Sequence, residues 1–144
     1  MKIKIKKLNE NAVLPTCGSE YSAGYDLYAA GSYVIKPHDT QLISTAIAVE
    51  IPEGYFGAIY ARSGLATKEG IRPANCVAVI DADYRGEIKI PLHNDGIKPT
   101  HYIVSKGERV AQLVIQPFLK IDWEEVEELS ETSRESGGFG STGK

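Results

Sequence analysis

The sequence predicts an all-β fold, namely a sandwich, jelly roll or barrel of short and mostly antiparallel strands. Two observations lead to this prediction. Apolar and polar residues alternate with a period of two, both in residues 2–6 and along residues 43–51. Short runs rich in Val, Ile and Tyr are separated by turn residues such as Asn94-Asp95-Gly96 and Lys106-Gly107. Many short strands at this spacing are typical of antiparallel folds rather than of alternating strands and helices.

The predicted elements follow one another along the chain. The first strand lies in residues 2–6, and a long alternating run from Leu42 to Ile51 ends at the turn Pro52-Glu53-Gly54. Further strands are expected at residues 55–60, 76–80, 87–92, 102–104 and 109–118. Residues 63–69 can form about two turns of helix, ended by Gly70.

Composition and charge limit the classes of function. A chain of 144 residues with 42% hydrophobic and 24% charged residues is expected to form one globular domain. Its net charge of −3 argues against a protein that grips a nucleic-acid backbone. No stretch approaches the roughly 20 apolar residues of a membrane span, and the N-terminal MKIKIKKLNE lacks the apolar run of a signal peptide. We therefore expect a cytoplasmic protein with neither nucleic-acid nor membrane partners.

The cysteines and histidines show no metal-binding pattern. Cys17 and Cys76 form no C-x-x-C pair, and the three histidines, His38, His93 and His101, lack the spacing of a zinc site. We therefore expect neither a disulfide nor a zinc ion.

The last residues differ in character from the rest of the chain. We expect a folded domain over residues 1–129 and a flexible, glycine-rich arm over residues 130–144, because the arm has few apolar groups to offset its ordering entropy. The arm ends in GFGSTGK, which contains two phosphate-binding patterns at once. A plain terminal linker is the alternative reading, although a linker does not need Arg134, Phe139 and Lys144.

Four further glycine-containing polar segments interrupt the strands, and each is a candidate for binding or chemistry: AGYDL at residues 23–27, ARSGLA at 61–66, NCVAVIDADYRG at 75–86 and GERVAQ at 107–112. The third reads as a hairpin, with Asp81 partly buried after an apolar strand. Simpler roles are open for two of these residues. Ser63 can act as a helix N-cap, a geometry that also suits a phosphate site, and Asp81 can merely cap its turn.

Together and in this order, the five segments resemble the motifs of the trimeric dUTPase family. The resemblance spans nearly the whole chain and is most specific in N-x-x-x-x-I-D-x-D-Y-R-G and in R-x-S-G-G-F-G-S-T-G. It implies a distorted jelly-roll fold with one short helix and a homotrimer with active sites shared between subunits. It also implies Mg²⁺-dependent cleavage of dUTP between the α- and β-phosphates, which gives dUMP and pyrophosphate.

The resemblance also implies a role for individual residues. Asp81 resembles the general base that activates the attacking water, and Tyr84 the residue packed under the deoxyribose. Asn75, Val79 and Ile80 resemble the uracil-reading edge. The phosphate contacts would be Arg62, Ser63, Gly64 and Gln112, and Asp26 would approach Mg²⁺ through a water molecule. Arg134, Phe139, Ser141 and Thr142 would close over the substrate, with the Phe139 ring on the uracil.

Two positions depart from the family pattern. Ala61 stands where the family often has proline, and Ala78 where it often has glycine. An added methyl group at position 78 can affect base selectivity if the backbone there requires a positive φ or a close approach.

Three alternatives to a dUTPase remain open at this point. One is a dCTP deaminase, or a bifunctional deaminase and diphosphatase, of the same fold. Another is a non-catalytic nucleotide sensor or protein-binding module, and the third is a purely structural β sandwich.

Overall fold

The computed structural model describes residues 1–138, which form twelve strands and one helix. In chain order these are β1 (Lys4–Lys7), β2 (Thr16–Cys17), β3 (Tyr25–Tyr28), β4 (Tyr33–Ile35), β5 (Thr40–Ser44), β6 (Ile47–Glu50), β7 (Tyr55–Tyr60), α1 (Ser63–Glu69), β8 (Ile71–Pro73), β9 (Ala78–Ile80), β10 (Lys89–Asn94), β11 (Tyr102–Val104) and β12 (Arg109–Pro117). The predicted all-β class with one short helix is confirmed.

The strands pair in antiparallel fashion in four small sheets. The largest sheet has the order β2-β3-β12-β7-β9, and a three-stranded sheet has the order β5-β10-β8. Two further pairs join β1 to β6 and β4 to β11. Strand β12 is the centre of the largest sheet, because it pairs with β3 on one side and with β7 on the other.

The core lies between these sheets and consists mainly of aliphatic side chains. Leu27, Ile43, Ile59, Ile90 and Leu92, which come from four different strands, are at most 1% exposed. The alternating run predicted for residues 42–51 does face the core, but it forms two strands rather than one. The chain turns at Ala46, whose φ of 53° lies in the left-handed region.

Helix α1 has the predicted bounds. It ends at Gly70, whose φ of 66° places it in the left-handed conformation that glycine adopts without strain. The proposed N-cap role of Ser63 is wrong, because the N-cap residue is Arg62 and Ser63 is already the first helical residue.

The predicted hairpin around Asp81 is also wrong. Strand β9, before the turn, pairs with β7, whereas β10, after the turn, pairs with β5 and β8. Residues 81–88 therefore connect two sheets instead of closing a hairpin within one. This connection places the turn at a corner of the molecule, where its side chains are accessible.

The described part of the C-terminal segment runs over the surface. Residues 117–136 are all exposed, and none of residues 118–138 belongs to a helix or strand. No helix within residues 1–138 is long and apolar enough to cross a membrane.

Candidate active site

A cavity of about 270 Å³ lies beside the turn that follows β9. Its lining includes four residues singled out from the sequence, namely Val79, Ile80, Asp81 and Tyr84. Two further residues, Glu87 and Lys89, complete the lining. Apolar groups, two carboxylates, a phenol and a cation therefore meet in one concave place, which is the usual composition of a small-molecule site.

The turn fixes the position of the Tyr84 ring. The Tyr84 amide donates to the Asp81 carbonyl oxygen at 3.1 Å, and the Tyr84 hydroxyl donates to the Glu87 carbonyl oxygen at 3.0 Å. A side chain at Gly86 would overlap the Tyr84 hydroxyl and ring. Glycine at position 86 is therefore what allows the ring to fold back over its own backbone.

Asp81 is exposed in the single chain, so the expected partial burial of this residue is not observed. The bond that closes the turn is accepted by its backbone carbonyl rather than by its carboxylate. Asp81 thus lines the cavity with a carboxylate that makes no hydrogen bond within the turn. This carboxylate can accept a proton from a bound water.

The sequence reading missed Glu87 and Lys89. Glu87 Oε1 accepts a bond from the Ser44 hydroxyl and one of 2.9 Å from the Ala46 amide, and Oε2 lies 3.6 Å from Lys89 Nζ. Burial acts to raise the pKa of Glu87, but these bonds and the nearby ammonium outweigh it and hold the pKa below its ordinary value. The spacing of Glu87 and Lys89, two residues apart with opposite charges, was the available signal, but the partners of Glu87 at Ser44 and Ala46 are distant in sequence.

A second cluster forms around Asp26 on β3. Its Oδ1 accepts from Arg62 Nε at 3.0 Å, and its Oδ2 accepts from Arg109 Nη1 at 3.1 Å. The Asp26 side chain is only 16% exposed, whereas that of Arg109 is 51% exposed. Arg62 also donates to the Arg109 carbonyl oxygen at 3.0 Å. Two guanidinium groups thus stand side by side on one carboxylate, which leaves a net positive site suited to phosphate.

Gln112 supports this cluster from the adjacent strand. Its Nε2 donates to the Ala61 carbonyl oxygen at 2.9 Å, immediately before Arg62. A side chain at Gly24 would come within 2.5 Å of Gln112 Oε1, so any larger residue there would have to displace the Gln112 amide. Arg109 and Gly24 were not assigned site roles from the sequence, and the signal for both lies in strand pairing rather than in local spacing.

The remaining predicted contacts lie near one cluster or the other. Ser63 and Gly64 follow Arg62 and are exposed, and a Cβ atom added at Gly64 would have open space around it to 4 Å. Asn75 lies in the exposed turn between β8 and β9, just before the cavity-lining strand.

The two clusters are far apart within one chain. On β12, Gln112 pairs with Asp26 of β3. Ile80, the neighbour of Asp81, pairs with Gly57 of β7, which in turn pairs with Ile115 of β12. An offset of about three residues along β12, combined with three strand spacings across the sheet, separates Asp81 from Asp26 by roughly 15–20 Å. A single chain therefore does not bring the carboxylate at position 81 together with the paired arginines.

Only part of the predicted closing arm is described. Arg134 Nε donates to the Gly137 carbonyl oxygen at 2.9 Å, within a short local turn on the surface. Phe139, Ser141 and Thr142 lie outside the described residues.

Within residues 1–138, no three His, Cys, Asp or Glu side chains cluster in a way that could hold a metal ion. A single carboxylate nevertheless fits Mg²⁺ as nucleotide-binding proteins commonly hold it, with one or two carboxylates and the remaining ligands from phosphate and water. Asp26 is the carboxylate of the cationic cluster, and its oxygens are of the hard type that Mg²⁺ prefers.

Sequence comparison finds one family across almost the whole chain. The family model described as dUTPase matches residues 10–143. A deoxyuridine 5'-triphosphate nucleotidohydrolase of Hydrogenobaculum sp. (strain Y04AAS1) is 49% identical over 144 residues, which is 99% of each chain. The protein of the same name from Nautilia profundicola is also 49% identical, over the full length of both chains.

Structural comparison agrees with the sequence. The dUTPase of Staphylococcus bacteriophage 80alpha, solved with dUPNHPP, superposes with a TM-score of 0.92 at 33% identity over 99% of both chains. A variant dUTPase of phage phi11 of S. aureus, described for its coordination of a structural Mg(II) ion, superposes with a TM-score of 0.82 at 30% identity over 89% of this chain and 98% of that one. The predicted jelly-roll architecture is confirmed by this similarity.

Proposed function

The chain belongs to the dUTPase family, and on that basis we propose that it is a dUTP diphosphatase, which hydrolyses dUTP to dUMP and pyrophosphate. The observation that carries the proposal is the cavity in which the exposed Asp81 carboxylate lies beside Tyr84 and the β9 backbone. The reaction would lower dUTP and supply dUMP for thymidylate synthesis.

Asp81 acts as the general base in the proposed mechanism. Its carboxylate takes a proton from a water molecule as the water oxygen bonds to the α-phosphorus. The bond from the α-phosphorus to the bridging oxygen then breaks, and pyrophosphate leaves. A positioned base of this kind contributes about 10²–10⁴-fold to the rate. The exposed position of Asp81 supports this role, because it keeps the carboxylate within reach of water.

The turn and β9 select the nucleoside. The Tyr84 ring packs under the deoxyribose, where a ribose 2′-hydroxyl would clash, while Asn75, Val79 and Ile80 contact the uracil. A close-fitting backbone edge leaves no space for the methyl group of thymine. Its donors and acceptors match uracil and leave cytosine unpaired.

The cationic cluster binds the phosphates. Arg62 and Gln112 lie together with Asp26, and Ser63 and Gly64 add a hydroxyl and open backbone beside them. Asp26 would hold Mg²⁺ through a water molecule. Bound Mg²⁺ polarises phosphoryl oxygens and offsets the charge that develops on them.

The active enzyme is a homotrimer in which different chains contribute the two clusters to one site. The distance between Asp81 and Asp26 within one chain supports this arrangement. So do three large apolar side chains in the C-terminal segment, Leu119, Trp123 and Leu129, which are 87–89% exposed in the single chain. We place the enzyme in the cytoplasm, with no nucleic-acid or membrane partner.

The arm over residues 130–144 closes the site in this proposal. Arg134, Ser141 and Thr142 contact the terminal phosphates and Phe139 covers the uracil, so that water other than the nucleophile is excluded. The exposure of residues 130–136 supports a segment that is available to close over a neighbouring site.

The test is a pyrophosphate-release assay with dUTP, dTTP, dCTP and UTP in separate reactions. We expect turnover of dUTP and at least about 100-fold lower kcat/KM for the other three. Ammonia release from dCTP would instead indicate the deaminase of the same fold, and binding of dUTP without hydrolysis would indicate a nucleotide sensor.

A further inference from the structure

The Glu87 side chain ties the Tyr84 turn to the corner between β5 and β6. Its Oε1 accepts from the Ser44 hydroxyl and, at 2.9 Å, from the amide of Ala46. Ala46 is 1% exposed and has a left-handed φ of 53°, an unusual conformation for a residue other than glycine. The carboxylate thus binds a strained and buried corner of the backbone.

The residue after Glu87 is held by the same corner. The Thr45 hydroxyl donates to the Ile88 carbonyl oxygen at 2.5 Å, and the Ile88 amide donates to the Ile47 carbonyl oxygen at 2.9 Å. The Ile88 backbone is therefore held to this corner by two bonds, in addition to the two that the Glu87 carboxylate accepts. Only the bonds to Glu87 depend on a side chain of the turn.

The fixed backbone at Glu87 in turn positions the Tyr84 ring. The Tyr84 hydroxyl donates to the Glu87 carbonyl oxygen at 3.0 Å, and the ring lies over Gly86. A shift of the Glu87 backbone therefore moves the acceptor that holds the phenol.

The Glu87 carboxylate is placed for anchoring rather than for proton transfer. It lines the same cavity as Asp81, but its Oε1 already accepts two bonds and its Oε2 lies 3.6 Å from Lys89 Nζ. Its side chain is 20% exposed, whereas Asp81 is an exposed residue. The two carboxylates of the cavity thus have different surroundings and different uses.

We propose that Glu87 is a positioning residue that sets selection of deoxyribose over ribose by holding the Tyr84 ring in place. This inference rests on the proposed function and on the role of Tyr84 beneath the sugar. Its physical basis is that steric exclusion of a single hydroxyl group requires a ring that cannot move aside.

The test compares kcat/KM for dUTP with kcat/KM for UTP in the full-length protein. Glu87→Ala is expected to lower this ratio about tenfold, because two bonds to the corner are lost. Glu87→Gln keeps an acceptor oxygen for the Ala46 amide and is expected to keep the ratio within about threefold of the parent. Glu53→Ala, which removes an exposed carboxylate from another turn, is the matched control and should leave the ratio unchanged.

A double-mutant cycle with Tyr84→Phe tests whether Glu87 changes the dUTP-to-UTP ratio of kcat/KM through the Tyr84 hydroxyl. If Glu87 acts through the phenol, Glu87→Ala should change the ratio little in the Tyr84→Phe background. Full additivity of the two changes would contradict the proposal.

The outcomes separate this inference from the function on which it rests. A Glu87→Ala protein that hydrolyses dUTP with the parent ratio overturns the positioning role and leaves the function standing. A parent protein that does not hydrolyse dUTP overturns the proposed function instead. If Glu87→Ala does not fold, Glu87→Asp takes its place, since its shorter side chain withdraws the carboxylate from both Ser44 and Ala46, and an unchanged ratio in that variant overturns the proposal.

Discussion

The carboxylate of Asp81 is exposed and serves no bond in its turn, so replacing it should affect chemistry and not folding. We predict that Asp81→Asn lowers kcat for dUTP by about 10²–10⁴-fold, because an amide cannot take the proton of the water. Affinity for dUTP should be retained. Pyrophosphate release and calorimetric binding measure the two quantities.

Asp83 provides the matched control for this substitution. It is also exposed and lies in the same turn, so Asp83→Asn removes an equal charge without removing the proposed base. Its kcat should stay close to that of the parent. An Asp81→Asn protein with unchanged hydrolysis would remove Asp81 from the mechanism.

Glu87 makes the stability of the fold depend on pH. Burial acts to raise its pKa, but the bonds from Ser44 and Ala46 and the charge of Lys89 keep the pKa below its ordinary value. A group with a lowered pKa in the folded state contributes stability above its unfolded pKa, and that contribution is lost as the pH falls through the folded value. The free energy of unfolding should therefore exceed that of Glu87→Gln most clearly at neutral pH.

Urea unfolding at several pH values measures this difference. We expect the gap between the parent and Glu87→Gln to narrow as the pH falls from about 6 to about 3. Glu53→Gln, in an exposed turn, is the control and should show no such convergence. A gap that is constant over this range would mean that the charge of Glu87 does not stabilise the fold.

The C-terminal segment is the element whose removal should separate folding from turnover. Residues 130–136 are exposed and contribute nothing to the core. A chain ending at Leu129 should therefore keep its circular dichroism spectrum, its melting temperature within a few degrees, and its oligomeric state. Its kcat for dUTP should fall by about 100-fold or more if closure of the arm completes the site.

A second truncation provides the comparison. A chain that keeps residues 1–138 retains Arg134 but lacks Phe139, Ser141 and Thr142. We expect it to be nearly as inactive as the shorter chain. Parent rates in either truncated protein would exclude the arm from the mechanism.

Single elements were predictable from the sequence where local physics decides them. The bounds of α1 and its end at Gly70 were predicted correctly, because a left-handed glycine ends a helix whatever surrounds it. The partners of β9 and of β10 were not predicted correctly, since a period of two determines which face of a strand is buried but not which strand lies beside it. The supposed hairpin around Asp81 was therefore assigned to the wrong partners.

The candidate site was predictable to the same extent. Val79, Ile80, Asp81 and Tyr84 lie together because they are close in sequence, and they line one cavity. The contact of Glu87 with Ser44 and the second guanidinium on Asp26 depend on residues that are distant in the chain. Motif reading does not detect such contacts, because they arise only when the sheets are assembled.

At the level of the whole molecule, the separation of Asp81 from the Asp26 cluster predicts complementation between inactive chains. Arg62→Gln and Asp81→Asn proteins should each be nearly inactive alone. When the two are unfolded together and refolded as a mixture, about a quarter of the parent activity should return, because two chains must each supply one intact cluster.

The control for complementation is a mixture of two variants of the same cluster. Arg62→Gln mixed with Gln112→Ala should recover little, because no chain then carries an intact phosphate cluster. Recovery in neither mixture would contradict sites shared between subunits. Light scattering on the parent protein gives the number of chains independently.

Trp123 is the only tryptophan of the sequence, and it is 89% exposed in the single chain. Its indole emission therefore comes from one place, and that place lies in the exposed C-terminal segment. An indole surrounded by water emits at longer wavelengths than one covered by protein. Dilution of the protein in a fluorimeter would therefore report dissociation without an added label, because the emission of Trp123 would shift to longer wavelengths as neighbouring chains separate.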